Sequence, residues 1–374
     1  MQNNLHEQKK TVFLQHIKNR FNMKYIRFIL ILSCFIFIFN SCSTKVDLYA
    51  DYKDVPIVYA MLNPKTDTNY VKITRAFCGT NDDPINAKEV ALIADSSNYP
   101  CKLDARIIEM ENTHGSYYEP TGRVITLDTI TLHDKKAGIF YSPDQVFYYT
   151  TEPFNTGNGN VKYKYRLVVV KPDGDSLTAQ TNTVGNAEFA IMTGGVGFQM
   201  DQTNEVRKVM FRADNFASLY EVSFQFNYRE QKAGQGIKRK FITRAFGSKT
   251  INEFRKLEGT ENSYYMEYSV NWLFNALANA IGGDTIVDPN HPDVTRYIDD
   301  FVISISAAGD ELTNYYYATQ AQMNSPMSLI TTYTNIEGGY GLFSSRTKIE
   351  RVAELSANTK RELFGMTPWG FKEQ

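Results

Sequence analysis

The chain has 374 residues, with 40 Lys and Arg against 41 Asp and Glu, a formal net charge of −1 and 43% hydrophobic residues. That balance excludes the basic footprint of a nucleic-acid-binding protein, and the length allows two or three domains. Tyr and Phe, at 24 each, suit β-structure and recognition surfaces.

Residues 1–22 precede a more natural start at Met23 and read as an over-long gene start. Residues 23–41 read as a lipoprotein signal peptide. Lys24 and Arg27 form a short basic segment, and the apolar run from Phe28 to Phe39 is only 12 residues long, against roughly 20 for a spanning helix. The run ends at Phe39-Asn40-Ser41-Cys42, a small residue before a cysteine, where a lipoprotein peptidase cuts. A plain secretory signal is the alternative, but Phe39 stands where that signal requires a small residue. Cys42 is therefore the predicted lipidation site. Each buried methylene contributes about 0.8 kcal/mol, so two or more acyl chains make a stable anchor. Beyond residue 41, 34 basic side chains face 40 acidic ones, a net −6 and a mildly acidic surface. Residues 42–54 are the expected tether. No Asp stands next to Cys42, which favours the outer membrane and leaves the periplasmic or cell-surface face open.

Past the tether, period-two alternation predicts a mainly β chain. Residues 55–184 read as an immunoglobulin-like β-sandwich, with strands over 55–62, 70–77, 101–111 and 123–132. A hairpin over 161–183 turns at Pro172-Asp173-Gly174-Asp175, where Gly174 takes positive φ at no steric cost. Cys78 and Cys101 are a candidate disulfide worth about 3 kcal/mol. Spacing equally allows two separate thiols. Residues 185–204, rich in Gly, read as a linker. Residues 205–355 read as a second β-rich domain with a few short helices, its strands over 206–211, 219–228, 237–244 and 297–307. Helical spacing marks 272–281 and 311–323. Gly338-Gly339-Tyr340-Gly341 predicts a bend that sends Leu342 and Phe343 into the core. Residues 356–374 hold a last helix and tail, with Thr359-Lys-Arg-Glu362 as its capping box.

No catalytic constellation stands out, and a non-enzymatic protein without cofactor or metal is expected. His114, His133 and His291 lack metal-ligand spacing. Asp284, Asp288, Asp293, Asp299 and Asp300 crowd one stretch, which keeps a hydrolase on polysaccharide or peptide as the alternative. The pairs Tyr117-Tyr118, Tyr148-Tyr149 and Tyr264-Tyr265 are the candidate binding surface. Adjacent strand residues face opposite sides, so one of each pair can reach solvent, while Tyr capping a sandwich core with its hydroxyl in water is the plainer reading of each pair.

The stretch Tyr333-Thr-Asn-Ile-Glu-Gly-Gly-Tyr-Gly-Leu-Phe-Ser-Ser-Arg346, with Val58-Tyr-Ala-Met-Leu-Asn63, Tyr70 to Phe77 and the lipobox, resembles uncharacterised outer-membrane lipoproteins of the Bacteroidota. The family is number 4249 of the domains of unknown function, and the resemblance covers Cys42 to about Leu355. It implies an N-terminal β-sandwich, a following β-rich region and an accessory role beside a TonB-dependent receptor. It transfers no catalytic residue. The expected protein is thus a lipid-anchored binding or accessory subunit, its partner an outer-membrane receptor or an extracellular glycan or peptide. A structural adhesin or fimbrial subunit is a further alternative.

Overall fold

The computed structural model describes residues 54–77, 87–112, 117–157, 161–190, 197–281, 294–324, 333–366 and 369–373. The lipobox, the tether up to residue 53, Cys78, His114, His291, Asp284, Asp288 and Asp293 lie outside the described residues. Alternating apolar and polar side chains make most of the rest strand. In order these are β1 Pro56–Leu62, β2 Asn69–Arg75, β3 Asp104–Asn112, β4 Glu119–Thr126, β5 Asp128–Leu132, β6 Gln145–Thr150, β7 Lys162–Val170 and β8 Ser176–Asn182. Then come β9 Glu188–Phe189, β10 Val206–Arg212, β11 Ala217–Lys232, β12 Lys238–Thr250, β13 Arg255–Lys256, β14 Ser263–Ser269, β15 Val294–Gly309 and β16 Tyr340–Ala353. Three longer helices are α1 Trp272–Ile281, α2 Asp310–Asn324 and α3 Ala357–Gly365.

One sheet has eight strands in the order β12-β11-β15-β16-β1-β2-β6-β5, and two further sheets have the orders β13-β14-β10-β9 and β4-β3-β7-β8. The protein is mainly β. Its N-terminal part is a sandwich of immunoglobulin-like kind, and a second β-rich part carrying the helices follows. In the sandwich, Val58, Ala60, Val71 and Ile73 of the large sheet meet Ile107, Leu167 and Val169 of the small one. In the second part, Phe224, Phe226, Phe301 and Ile303 of the large sheet meet Phe211 and Tyr268, with Leu273 and Leu277 of α1 beside them. Phe198 joins that core with its ring 5.1 Å from Tyr268 and 5.0 Å from Phe301, both stacked.

The large sheet crosses the expected domain division. It takes β1, β2, β5 and β6 from 55–184 and β11, β12, β15 and β16 from 205–355. The seam is the parallel pair β1–β16, with Val58 opposite Gly341 and Ala60 opposite Phe343. Nor does 185–204 behave as a linker. Phe198 and Met200 are buried in the second core, and the Gly185 and Asn186 N–H groups donate to the Asp214 carboxylate at 2.9 and 2.6 Å. Its Gly content hid two core side chains.

Two other expectations change. The strand expected over 123–132 is two strands. At Leu127, itself buried, the chain leaves the small sheet as β4 and enters the large one as β5, and the Leu127 N–H donates to Ala105 O at 2.9 Å. A strand that serves both layers keeps its alternation, so the switch is silent in the pattern. The last helix is capped one turn earlier than Thr359: Ser356 Oγ accepts from the Thr359 N–H at 3.2 Å. Thr359 is buried instead, and its hydroxyl accepts from the Met200 N–H at 2.9 Å.

The predicted bend before Leu342 and Phe343 is present, and both side chains are buried. Gly341 has φ +116°, and a Cβ there would lie 1.9 Å from Val58 O. Beyond it, Ser345 Oγ donates to Leu62 O at 2.9 Å and accepts from the Val184 N–H at 2.9 Å. Ser344 and Thr181 both donate to one oxygen of Glu311, at 3.2 and 2.9 Å. Burial pushes the Glu311 carboxyl up, and these hydrogen bonds offset that only in part.

Gly341→Ala should cost at least about 3 kcal/mol, because backbone rather than side chain must move. Gly174→Ala, at φ +89° in open space, should cost only about 1 kcal/mol. Urea unfolding measures both, and equal costs would reject the close approach at the seam. For Glu311 the folded carboxyl titrates above its unfolded counterpart. Stability is therefore full where the group is protonated and falls as pH rises through the raised folded value. Glu311→Gln keeps an acceptor for both hydroxyls and removes that loss. Its unfolding midpoint should match the parent's near pH 4, about the reference glutamate value, and exceed it at pH 8. A pH-independent gap would contradict the assignment.

Candidate functional site

Alternation leaves each strand of the large sheet with an outward side chain for every core one. In β1, β2 and β6 the core positions are Val58, Ala60, Val71, Ile73 and Tyr148. The intervening residues gather aromatic rings on the opposite face. Tyr59 pairs with Lys72 across β1–β2, Tyr70 with Tyr149 across β2–β6, and Phe147 with Ile130 across β6–β5. Tyr59 is 46% exposed and Tyr70 42%. The Tyr70 ring sits 6.0 Å edge-on from Phe147 and 6.4 Å from Tyr149. The Tyr59 hydroxyl is hydrogen-bonded to that of Tyr315 on α2. An open recess of about 420 Å³ lies over this face, walled by Tyr59, Asn63, Thr68, Tyr70, Lys72 and Phe147.

Lys72 is the charged group of the site. Its ammonium lies 4.7 Å from the Phe147 ring centre and donates to Val146 O at 2.9 Å. Burial, and after it the charge of Lys135, brings the Lys72 ammonium down to about 8.

Of the three expected Tyr pairs, one contributes to this cluster. Tyr148 is buried and its hydroxyl accepts from the Leu103 N–H at 2.8 Å, whereas Tyr149 faces out. Tyr117 is the most exposed, and Tyr118 lies under Lys164 at 4.4 Å. Tyr264 packs beside Phe211 in the second core, and Tyr265 carries Lys208 at 4.1 Å. The structure therefore does not join the pairs into one surface. Tyr59, Tyr70 and Phe147 are not among the expected binding residues: Tyr59 and Tyr70 have no aromatic neighbour along the chain, and Phe147 stands just before the Tyr148-Tyr149 pair. Their signal is positional: each occupies the phase opposite to the core residues of its strand.

The buried acids elsewhere hold the scaffold. Burial pushes Glu109 up, but hydrogen bonds from Tyr165 (2.6 Å), Arg123 (3.0 Å) and Thr121 (3.1 Å) outweigh it and leave the carboxyl low. Glu230 is low for the same reason, with Lys240 at 2.8 Å and Arg296 at 2.7 Å. Asp299 and Asp300 of the acidic stretch are engaged by Arg229 and Asn227, each at 2.5 Å. His133 Nδ1 lies 2.7 Å from Asp144 on the surface. Cys101 is exposed, and its expected partner Cys78 lies outside the described residues. Among the described residues, no three His, Cys, Asp or Glu side chains group as metal ligands.

No protein-family model matches the chain, and no curated protein matches it. Among solved structures, it is similar to the calcium binding domain CBD12 of CALX1.1, at 8% identity over 78% of this chain and 98% of that chain, with a TM-score of 0.15. The mainly β architecture rests on the strands themselves.

The Tyr148-Tyr149 pair separates scaffold from surface. Tyr148→Phe strands the buried Leu103 N–H and should cost about 1–3 kcal/mol. Tyr149→Phe should stay within about 0.5 kcal/mol. Equal costs in denaturant melts would contradict the facing assigned to the pair.

Proposed function

We propose that the protein is a lipid-anchored outer-membrane protein, a non-enzymatic binding or accessory subunit that holds its ligand on the aromatic face of the large sheet. The observation that carries this reading is the cluster of Tyr59, Tyr70, Phe147 and Tyr149 on the outward side of an ordered sheet. Grouped apolar side chains left in water mark interaction sites more often than isolated ones, and Tyr supplies contact area at low entropic cost. The short apolar run ending at Ser41-Cys42 supports the anchor, and the likeness of residues 333–346 to Bacteroidota lipoproteins points the same way. An outer-membrane receptor of the TonB-dependent type, or an extracellular glycan or peptide, is the partner class in view.

Two observations favour binding over the alternatives. A hydrolase built on the 284–300 acids would have Asp299 and Asp300 already committed to Arg229 and Asn227. A fibre built by strand exchange would need an inviting edge. One edge of the large sheet, β12, carries Lys238, Arg239, Lys240, Arg244 and Lys249, which oppose strand addition there, and the other edge, β5, is a short strand of five residues.

Cys42→Ala or globomycin treatment should leave the precursor uncleaved or move the protein out of the membrane fraction. Unchanged size and partitioning on gels would reject the anchor. For the face, Tyr70→Ala with Tyr149→Ala should reduce partner recovery from detergent-solubilised membranes at least about tenfold, the scale of a 1.4 kcal/mol loss. Undiminished recovery would reject this site.

A further inference from the structure

Lys72 is in an unfavourable position for a side chain with only a structural role. Its ammonium has three donors, one of which goes to Val146 O while the charge lies over Phe147. A second cation stands in the same region. Lys135 donates to Tyr141 O at 2.6 Å and lies 5.7 Å from the Phe140 ring centre. Among the described residues, neither lysine has a carboxylate within ion-pair distance. For Lys72, a half-buried ammonium resting on a carbonyl and a ring with a second positive charge acting on it costs free energy that an incoming anion would recover.

The surroundings narrow the class of anion. The recess is open, and its lining combines Tyr59, Tyr70 and Phe147 with the polar residues Asn63 and Thr68. A sugar ring presents a C–H face that packs on the electron-rich face of an aromatic ring, and its hydroxyls point outward to polar groups at the rim. An open recess of about 420 Å³ also offers room for sugar rings beyond that of one compact ion.

We infer that this face binds an acidic saccharide, with Lys72 reading a sugar carboxylate, Lys135 adding to the local positive field, and Tyr59 and Tyr70 packing on the sugar rings. This rests on the reading of the aromatic face as the binding site and adds the ligand class to it. The affinity is then partly electrostatic and falls with salt, while the ring contacts persist.

The test is a titration of the full chain, in detergent, with three labelled probes: a galacturonic acid oligomer, a neutral galactose oligomer of equal length, and an Asp-rich peptide. Wild type should prefer the acidic sugar to the neutral one by about tenfold or more and bind the peptide more weakly than either. Lys72→Gln should bring the acidic-to-neutral ratio close to one, and Lys72→Arg should retain it. Tyr70→Ala should weaken both sugars without changing the ratio. Without ligand, Lys72→Gln should unfold at or above the wild-type midpoint, because it removes a half-buried charge, and Tyr70→Ala should stay near it, because that side chain faces away from the core. Equal binding of the two sugars, or a ratio unmoved by Lys72→Gln, would overturn the acidic class and leave the face standing as a binding site. Tighter binding of the peptide would overturn the saccharide. Binding that survives Tyr70→Ala with Tyr149→Ala undiminished would overturn the face itself.

Discussion

The parallel pair between β1 and β16 is the contact on which the rest depends. It joins the first strand of the described chain to one that begins at Tyr340, and it turns two four-stranded arrays into one eight-stranded sheet. The contact is possible because Gly341 has no Cβ to meet Val58 O. From there Phe343 enters the N-terminal core, and Ser345 bridges Leu62 O and the Val184 N–H. A late segment therefore completes an early core, and the two β-rich parts cannot be treated as beads on a string.

Sharing a sheet has a consequence for the outward face. Each smaller sheet covers the core side of its half, while the opposite side of β1, β2 and β6 keeps its alternate side chains in solvent contact. Tyr59, Tyr70, Phe147 and Tyr149 become neighbours only through the pairing of three strands. Helix α2 reaches this edge through Tyr315 and, through Glu311, touches β8 and β16 as well. The aromatic face and the seam are therefore tied through one helix. The buried carboxylates Glu109 and Glu230 take donors from Tyr165, Arg123, Lys240 and Arg296 and fix the strands around them, whereas Lys72 rests on a carbonyl and a ring.

Much of the local structure was legible in the sequence. Helix α1 has the bounds that its apolar spacing predicts, and the Pro172–Asp175 turn stands where Gly174 allows it. Other features were readable only in part. Thr359 matched a capping pattern, but Ser356 one turn earlier is the cap, since Thr359 serves Met200 instead. Leu127 looked like the middle of a strand because a strand that changes sheets keeps its alternation. Phe198 and Met200 lay hidden in a Gly-rich stretch that composition marks as a linker.

What the sequence determined by itself was periodicity: which residues of a strand share a side, where helical spacing replaces it, and where turns interrupt. Those depend on neighbours within a few positions, so they are written locally. Tertiary structure alone decided which strands lie side by side, hence that Tyr59 meets Lys72, that Tyr70 meets Tyr149, and that β16 closes on β1. Register between distant strands is set by packing of the whole core and by a single missing Cβ at Gly341, and no local pattern encodes that.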